Sequence, residues 1–508
     1  MKKQLRFFAL LLATTMILFN MTGCATKADE GKSKRLIVLQ SSDAVSLDPH
    51  RANDMHTNVT IRQIYDYLVI FDKDGIPQPS LAEKWSYIDD TTLEVNLKKG
   101  VKFHNGEELK ASDVKFTFDR FIDPAMATPA MFMFTSLDST EVIDDYTVHF
   151  HLKTPFAPFL SALSHATACI LNEKAVTAAG DSYGLNPVGC GPFKFVEWNR
   201  NQHIILDTFA DYHKGPAAVD GLTIRVIPEG ATMVAELKAG SADMAIDLSP
   251  QLADQFGVDS GLTLESFSTY SIYYVSFDMR EKPFDDVRVR RAINYAMDAD
   301  AIVKMAWSGF ANPAPGPVAT KLYGHNDNLK GYGYDPEQAK ALLAEAGYAD
   351  GFSSTLYISD NDIDSRIATV VQAQLAEVGI DITLQIMEWG AFLERTGEGV
   401  PMFILSWNSS SDIDSPVYAT HHTSALGGQG NRSFYQNPII DDLLDQGRRE
   451  LDPTARMEIY QEIQEIVVDD AVWGYIAEVE FLVGRSNRVK GFIPMASKQF
   501  EFYYISLD

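Results

Sequence analysis

A polar loop with two carboxylates follows an apolar stretch late in the sequence. Residues 402–407 predict a strand that ends at Trp407, and the loop after it contains Ser410, Asp412 and Asp414. In open α/β sheets, ligands bind outside the carboxyl ends of strands. An aromatic ring beside hydroxyl and carboxylate groups suits a zwitterionic or peptide-like ligand. A solvated loop beside a tryptophan of the core fits the same residues, and the sequence leaves both interpretations open.

A cysteine near the N-terminus stands where lipidation chemistry is expected. Basic residues precede an apolar run over residues 7–19, and residues 21–24 (MTGC) follow. This order is typical of a secretory signal with small residues before the cleavage site. A cysteine directly after Thr-Gly is typical of a bacterial lipoprotein signal. We therefore expect a signal peptide over residues 1–23, acylation of the Cys24 thiol and a flexible tether over residues 24–35. The alternatives are an ordinary signal peptide or a membrane anchor, although the apolar run is short for a bilayer core of ~30 Å.

No motif in the sequence predicts catalysis. The chain has no Gly-rich phosphate loop followed by Lys and Ser or Thr, no His-Glu-x-x-His and no Gly-x-Ser-x-Gly. Cys169 and Cys190 stand in apolar or Gly-rich surroundings without a basic neighbour, so buried packing is expected rather than a nucleophile. His421 and His422 form a pair with no third ligand nearby, and we expect them at the surface. We predict no enzyme activity, no metal site and no cofactor.

Length and charge restrict the architecture and the partners. Cores stop growing near ~250–300 residues, so a chain of 508 residues is expected to have at least two lobes. The formal charge of −26 argues against nucleic acid and anionic lipid as partners. After residue 24 no stretch of about 18 residues is apolar throughout, so no membrane-spanning helix is predicted. In an oxidising compartment Cys169 and Cys190 either form a disulfide or stay free, and their spacing leaves both open.

Two patterns of secondary structure position these residues. Between residues 81 and 155, segments with period-two alternation predict a β-rich region, and residues 270–278 (YSIYYVSFD) predict a strand. From residue 335 onward, amphipathic helices alternate with short β segments. The expected helices cover residues 335–347 and 365–378, and the expected strands cover residues 355–358, 380–386 and 402–407. This alternation predicts an open α/β sheet.

Five segments share their residues and their order with a known family. They are residues 81–85 (LAEKW), 101–114 (VKFHNGEELKASDV), 187–193 (PVGCGPF), 282–297 (KPFDDVRVRRAINYAM) and 334–348 (YDPEQAKALLAEAGY). On these segments the chain resembles the peptide-binding, family 5 solute-binding proteins of ABC importers. The similarity extends over residues 36–508. Cys190 stands where that family usually has threonine or another small residue.

The resemblance implies an α/β fold of the periplasmic-binding-protein type, in which two lobes close like a clamp. The implied parts are lobe I (36–275, with a subdomain over about 70–190), lobe II (280–474) and a return to lobe I (475–508). Crossings near Asp278 and Tyr475 would form the hinge. Ligand binding favours the closed state, because only that state lets both lobes contact the ligand.

The resemblance also implies a function in transport. The protein would be an extracytoplasmic monomer that contacts the membrane only through its lipid. It would deliver peptides to a permease, and partner ATPase subunits would supply the energy. The alternatives are a receptor for a peptide pheromone, the same clamp with a nickel chelate, an opine or a sugar as ligand, and an exported hydrolase. The hydrolase lacks any recognisable set of nucleophile, base and orienting group.

Within the family, the chain is most similar to the glutathione-binding branch, on residues 47–54 (LDPHRAND) and 406–414 (SWNSSSDID). In dipeptide binders, an aspartate three residues after the tryptophan holds the peptide amino group, and here Ser410 has that place. We therefore expect the amino group at Asp412 or Asp414. Trp407 would stack on the apolar part of the ligand, and Ser410 or Asn408 would supply neutral hydrogen bonds.

Further candidates complete the predicted site. Arg432 is the nearest cation downstream of the loop, and we expect it to bind a ligand carboxylate, because a buried charged terminus needs a partner. If the acidic loop is only solvated surface, the ligand's amino group is expected in the loop that contains Asp54 and His56. Tyr270, at the beginning of its predicted strand, is the remaining candidate for ligand contact.

Overall fold

The computed structural model describes residues 34–508, apart from residue 74 and residues 258–260. The predicted signal peptide, Cys24 and the tether up to residue 33 lie outside the described residues. Residues Leu36–Asp508 form one compact unit. None of the helices in this described part is both long enough and apolar enough to span a membrane.

The elements have the following bounds. The strands are β1 (Arg35–Gln40), β2 (Val69–Phe71), β3 (Pro77–Pro79), β4 (Ala82–Asp89), β5 (Thr92–Leu97), β6 (Leu137–Asp144), β7 (Thr147–Leu152), β8 (Phe193–Asn199), β9 (His203–Thr208), β10 (Gly221–Val226), β11 (Met244–Ile246), β12 (Leu262–Phe277), β13 (Ala311–Pro313), β14 (Phe352–Ser359), β15 (Ile380–Met387), β16 (Met402–Asn408), β17 (Trp473–Ser486), β18 (Val489–Lys490) and β19 (Ser506–Leu507). The α-helices are α1 (Met55–Ile64), α2 (Ala111–Ile122), α3 (Phe159–Leu163), α4 (Glu173–Ala179), α5 (Gly230–Ala239), α6 (Val287–Ala296), α7 (Ala299–Trp307), α8 (Pro336–Glu345), α9 (Asp362–Glu377), α10 (Trp389–Glu398), α11 (Asp414–His421), α12 (Pro438–Arg449) and α13 (Pro453–Asp469). Short 3₁₀ helices cover Pro124–Met126, Met131–Phe134, Ala166–Ala168, Gly180–Leu185, Pro250–Gln255, Thr423–Ala425, Gly427–Gln429 and Phe502–Tyr504.

A mixed sheet of eleven strands runs through the described chain in the order β15-β14-β16-β12-β17-β11-β1-β10-β9-β8, with β13 paired to β17. Strand β14 is parallel to both β15 and β16, and β1 is parallel to β11. The alternation of helix and strand predicted from residue 335 onward is confirmed by α8, β14, α9, β15 and β16. The first of these helices begins where its sequence predicts, because the Asp335 side chain accepts a hydrogen bond from the Gln338 N–H at 2.9 Å and Pro336 follows the cap.

The long strands β12 and β17 belong to both halves of this sheet. Their antiparallel pairing connects Leu262 with Ser486 at one end and Ser276 with Trp473 at the other, and its register shifts after Ser268. The first half of the pair adjoins β11, and the second half adjoins β16. The buried apolar clusters divide at the same place. The buried residues of the clusters on the β11 side come from the chain before residue 263 and after residue 480. The buried residues of the clusters on the β16 side come from residues 270–477.

The β-rich region predicted between residues 81 and 155 is confirmed as a separate four-stranded sheet in the order β4-β5-β7-β6. Leu93 and Val95 of β5 are buried, and Glu94 between them points away from the core, as the period of two requires. Helix α2 contributes Phe118 and Phe121 to the buried side, so this sheet has an apolar cluster of its own.

Cys169 and Cys190 are both buried as free thiols in the described chain. Burial raises the pKa of each thiol, so neither is a reactive thiolate. The expectation that His421 lies at the surface is wrong. Helix α11 turns the His421 ring inward, 4.8 Å from the Trp473 ring, with Nδ1 3.2 Å from the Val417 carbonyl oxygen. Burial lowers the pKa of His421 to about 3, so it packs as a neutral core residue.

Candidate functional site

Tyr270 joins three backbone segments at the register shift of β12. Its N–H donates to the Ala496 carbonyl oxygen at 3.3 Å, and its own carbonyl oxygen accepts from the Ser409 N–H at 3.3 Å. Ser409 begins the loop after β16, and Ala496 belongs to the turn of residues 495–498. The Tyr270 side chain is buried. We call this set, Tyr270 with Ser409 and the turn of residues 495–498, the Tyr270 junction.

A lysine of the junction lies against β12 and β16. Ser271 and Asn408 are directly opposite each other in these strands, and Ser271 Oγ donates to Asn408 Oδ1. Lys498 Nζ donates to Ser271 Oγ at 3.1 Å and to Asn408 Oδ1 at 3.2 Å. Burial lowers the pKa of Lys498, and the charge of Asp247 opposes this effect. Both hydrogen-bond partners are neutral, so the ammonium group is held in place while its charge is available to an anion.

Asp247 carries the opposite charge. It directly follows β11, at the carboxyl end of a strand parallel to β1. Its side chain is exposed, and across residues 34–508, outside the gaps stated above, its carboxylate makes no hydrogen bond or ion pair within 4 Å. Asp247 and Lys498 both have left-handed backbone, with φ of 63° and 59°. Such conformations cost on the order of 1–3 kcal/mol and cluster at ligand-binding sites.

The loop after β1 lies at the same edge of the sheet as Asp247. Ser41 follows β1, and its Oγ lies 3.0 Å from His56 Nε2. The Asp54 carboxylate caps α1, because Oδ1 accepts from the Thr57 N–H at 3.0 Å. Its other oxygen, Oδ2, is buried and has no hydrogen-bond partner among the described residues. The structure therefore brings His56 to the end of β1 and gives Asp54 a capping role.

Arginines hold both carboxylates of the loop after β16. Asp412 accepts hydrogen bonds from Arg456 at 2.7 and 3.0 Å, and Asp414 accepts from Arg448 at 2.9–3.1 Å and from the Tyr460 hydroxyl at 2.9 Å. Burial acts to lower the pKa of both arginines, but the paired carboxylates outweigh it and raise the pKa. These pairs fix the loop to α12 and α13. The assignment of a ligand's amino group to Asp412 or Asp414 stays a prediction, and the ion pairs give both residues a structural role.

The rest of this loop folds back on the beginning of α11. Trp407 is half-buried, and its Nε1–H donates to the Ser415 carbonyl oxygen at 3.2 Å. The Ser410 N–H donates to Ser415 Oγ at 3.0 Å. The indole is thereby fixed at the end of β16, next to Asn408.

Arg432 is held by neutral oxygen atoms, and its predicted binding of a ligand carboxylate stays a prediction. Its guanidinium donates to the Leu393 carbonyl oxygen at 2.5 Å and to Thr396 Oγ1 at 2.8 Å, so it ties its own loop to α10. Burial lowers the pKa of Arg432. Within the described part of the chain, its side chain makes no hydrogen bond to the loop after β16. The structure does not bring Arg432 together with Asn408, and Lys498 is the cation that lies there.

A cavity of about 850 Å³ adjoins the Tyr270 junction. Its walls come from both sides of the register shift, and they include Lys73, Phe267, Lys321, Tyr323, His325 and Ala496. The volume lies within the range of small-ligand sites, about 300–1,000 Å³. Trp407 and the acidic loop do not line this cavity. The cavity therefore lies next to the Lys498–Asn408 contact without including it, and both lie between the buried clusters on the β11 side and those on the β16 side, which we call the two cores.

Sequence reasoning missed Lys498 and Asp247. Lys498 lies 90 residues after Asn408, and no local pattern connects them. Asp247 follows a strand of only three residues, too short to show a period. The rule that ligands bind at the carboxyl ends of strands points to Asp247 only once residues 244–246 are known to form a strand.

The sequence profile described as "Bacterial extracellular solute-binding proteins, family 5 Middle" matches residues 77–428. The chain belongs to this family. A glutathione-binding protein (GsiB) of Pectobacterium atrosepticum is 33% identical over 483 residues, which are 92% of this chain and 93% of that protein. The protein of the same name from Escherichia coli K12 is 32% identical over 495 residues, 95% of each chain.

Two solved structures are similar to this chain over nearly its whole length. DppA of Helicobacter pylori, in complex with the peptide STSA, is 31% identical with a TM-score of 0.79, and the match covers 93% of this chain and 98% of that one. HbpA2 of Haemophilus parasuis is 28% identical with a TM-score of 0.85, over 93% and 100% of the two chains. The predicted α/β fold of the periplasmic-binding-protein type is confirmed, and the family to which the chain belongs is one of solute-binding proteins.

We expect Asp412→Asn to lower the free energy of unfolding of this family 5 protein by about 3 kcal/mol. Removing one partner from a buried ion pair leaves the Arg456 charge uncompensated, and that loss dominates the cost. Urea denaturation followed by circular dichroism measures it. The matched control is Glu337→Gln, which breaks an exposed pair with Lys340 and should change the stability by no more than about 0.5 kcal/mol.

The opposite pattern would contradict this structural role. If Asp412→Asn keeps the wild-type free energy of unfolding but weakens ligand binding, Asp412 contacts the ligand and its pairing with Arg456 is incidental.

Proposed function

We propose that this protein is the substrate-binding subunit of an ABC importer and that it captures short, glutathione-like peptides between two lobes. Membership in family 5 supports the transport role. Relatives named for glutathione and a structural neighbour in complex with a peptide support the ligand class. The carrying observation is Lys498, a cation with neutral partners that lies between the two cores beside Asn408.

The lobes would divide at the register shift of β12. We place the crossings at residues 268–272 and 478–480, a few residues from the positions that the sequence predicted. Lobe I would then contain β1 and β11 with the C-terminal segment, and lobe II would contain β14, β15 and β16. The buried clusters, which divide at the same positions, support this arrangement.

A zwitterionic peptide would bind through both of its charges. Its carboxylate would accept hydrogen bonds from Lys498 Nζ. Its amino group would pair with the exposed Asp247 carboxylate rather than with Asp412 or Asp414, whose carboxylates are already paired with arginines. Trp407 would contact the apolar part of the peptide, and Asn408 with Ser410 would offer neutral hydrogen bonds. Glutathione carries a second carboxylate, for which the lysines that line the adjoining cavity are suited.

Closure would couple binding to delivery. Asp247 and Lys498 belong to lobe I, and Trp407 and Asn408 belong to lobe II, so a ligand contacts all of them only when the lobes are together. The ligand therefore favours the closed state by its additional contacts in that state. The closed form would dock on the permease, and the ATPase subunits of the importer would supply the energy.

The proposed location is the outer face of the cell membrane or an envelope membrane. The basic, apolar and Thr-Gly-Cys order of the first residues supports export and acylation at Cys24. Each buried CH₂ of the acyl chains contributes about 0.8 kcal/mol to anchoring. The protein would act there as a monomer, and Asp54, His56 and Tyr270 would shape the walls of the binding region.

We expect Lys498→Met and Asp247→Asn each to weaken glutathione binding by at least about thirtyfold. Loss of one partner from a desolvated charge pair costs roughly 2–5 kcal/mol, and the lower bound corresponds to that factor. Calorimetry with glutathione and with di- to pentapeptides measures the effect. The control is Lys490→Met, an exposed lysine 3.7 Å from Asp508, which should change each affinity less than about twofold.

A peptide with an acetylated amino group makes this test sharper. It has no charge for Asp247, so it should bind wild type and Asp247→Asn equally and should still lose affinity in Lys498→Met. If both variants bind every peptide within about twofold of wild type, the assignment of the two charges is wrong.

The anchor proposal has its own test. Cys24→Ala should abolish incorporation of a labelled fatty acid and release the protein from membranes, because the acyl chains attach to that thiol. Cys190→Ala changes a buried thiol and should leave both properties unchanged. Membrane retention of Cys24→Ala at the wild-type level would contradict a lipid anchor.

A further inference from the structure

Two histidines lie side by side on the outer face of the four-stranded sheet. Strand β7 alternates, so Val148 and Phe150 are buried in the apolar cluster while His149 and His151 point to the other face. The centroids of the two imidazole rings are 6.1 Å apart. Polar residues are expected on this face, but two adjacent imidazoles also offer a pair of nitrogen ligands.

The two strands that flank β7 each place a carboxylate beside these histidines. Glu94 of β5 and Glu141 of β6 are both directly opposite His149. His149 Nε2 lies 3.0 Å from Glu94 Oε2, and His151 Nε2 lies 2.9 Å from Glu141 Oε2. One ligand atom from each of Glu141, His149 and His151 lies within 4.8 Å of the other two. Three strands thus bring two imidazoles and two carboxylates into one patch.

We propose that Glu141, His149 and His151 bind a Zn²⁺ ion on this face and that Glu94 orients the His149 ring. Two nitrogen ligands and a carboxylate oxygen form a common zinc donor set. Ligands at 2.0–2.2 Å from a tetrahedral ion are roughly 3.4 Å apart, so small side-chain movements suffice to close the site. A carboxylate behind a metal-binding imidazole is its usual partner, and Glu94 has that place.

The competing explanation is that these contacts are surface ion pairs. Exposed pairs contribute only about 0–1 kcal/mol, and His151 with Glu141 is partly exposed, with 34% and 58% of the side chains accessible. The juxtaposition of the two rings argues against it, since a surface pair needs only one imidazole whereas a metal ion binds both as neutral ligands. The negative net charge of the chain also favours a cation.

The site is independent of the proposed peptide site. It uses none of the residues of the Tyr270 junction, and its donors come from β5, β6 and β7. A bound ion would connect β6 with β7, so it would stabilise the folded state by mass action. Zinc rather than magnesium is expected, because Mg²⁺ prefers oxygen ligands and octahedral geometry.

The experiment is a zinc titration of the full chain, purified without a histidine tag, in competition with a chromophoric chelator. We expect one tight site in wild type, and at least a tenfold loss of affinity in His149→Ala, His151→Ala and Glu141→Gln. The matched control is His203→Ala. His203 also pairs with a glutamate, Glu197 at 3.1 Å, but it belongs to no such cluster in the described chain.

The thermal midpoint gives a second measurement. Zn²⁺ should raise it in wild type and in His203→Ala but not in the three site variants, and Mg²⁺ should raise it in none. Glu141 is exposed, so Glu141→Gln keeps the test valid if a histidine variant fails to fold. Equal zinc affinity in wild type and in all three variants would overturn the proposal. Peptide affinity should be unchanged in every variant, which separates this site from the proposed function.

Discussion

The pairing of β12 with β17 is the contact on which the rest of the structure depends. These two antiparallel strands are the part of the large sheet that both groups of buried clusters share, and their register shifts between Ser268 and Ile272. At the shift, the register of β12 with β17 is interrupted, while the Tyr270 carbonyl oxygen extends the pairing of β12 with β16 by accepting from the Ser409 N–H, and the Tyr270 N–H donates to the Ala496 carbonyl oxygen. A local irregularity in one strand thereby fixes a loop from one half of the molecule and a turn from the other.

The charges around this junction fall into two classes. Asp412 and Asp414 are neutralised by arginines from neighbouring helices, so they hold the loop after β16 rigid. Lys498 donates hydrogen bonds to neutral oxygen atoms, and within the described residues the Asp247 carboxylate, whose charge acts on Lys498, makes no hydrogen bond or ion pair within 4 Å. A buried charge without a partner is expensive, whereas a partly solvated one held by neutral groups is a preorganised site for an ion. We therefore propose that the paired carboxylates support the loop and that Lys498 and Asp247 bind the ligand.

Much of the fold follows from local patterns in the sequence. The helices and strands after residue 335 have clear periods and caps, and the alternation in Thr147–Leu152 identifies β7. The partners of the acidic loop do not follow, because Arg448 and Arg456 lie 34 and 44 residues from the carboxylates they bind. His421 illustrates the same limit, since a histidine at the end of a short helix faces inward or outward according to the packing of distant aromatic rings. Which side chains meet at the candidate site depends on burial and on pairs distant in the sequence, and neither can be recognised from a local sequence pattern.

A crystal structure of the protein with glutathione tests the central claim most directly. We predict electron density for glutathione between the two cores, with a ligand carboxylate within hydrogen-bond distance of Lys498 Nζ and the amino group beside Asp247. Asp412 and Asp414 should keep their arginines in that structure. Glutathione bound elsewhere, or its amino group on Asp412 or Asp414 with the arginine displaced, would contradict this binding mode.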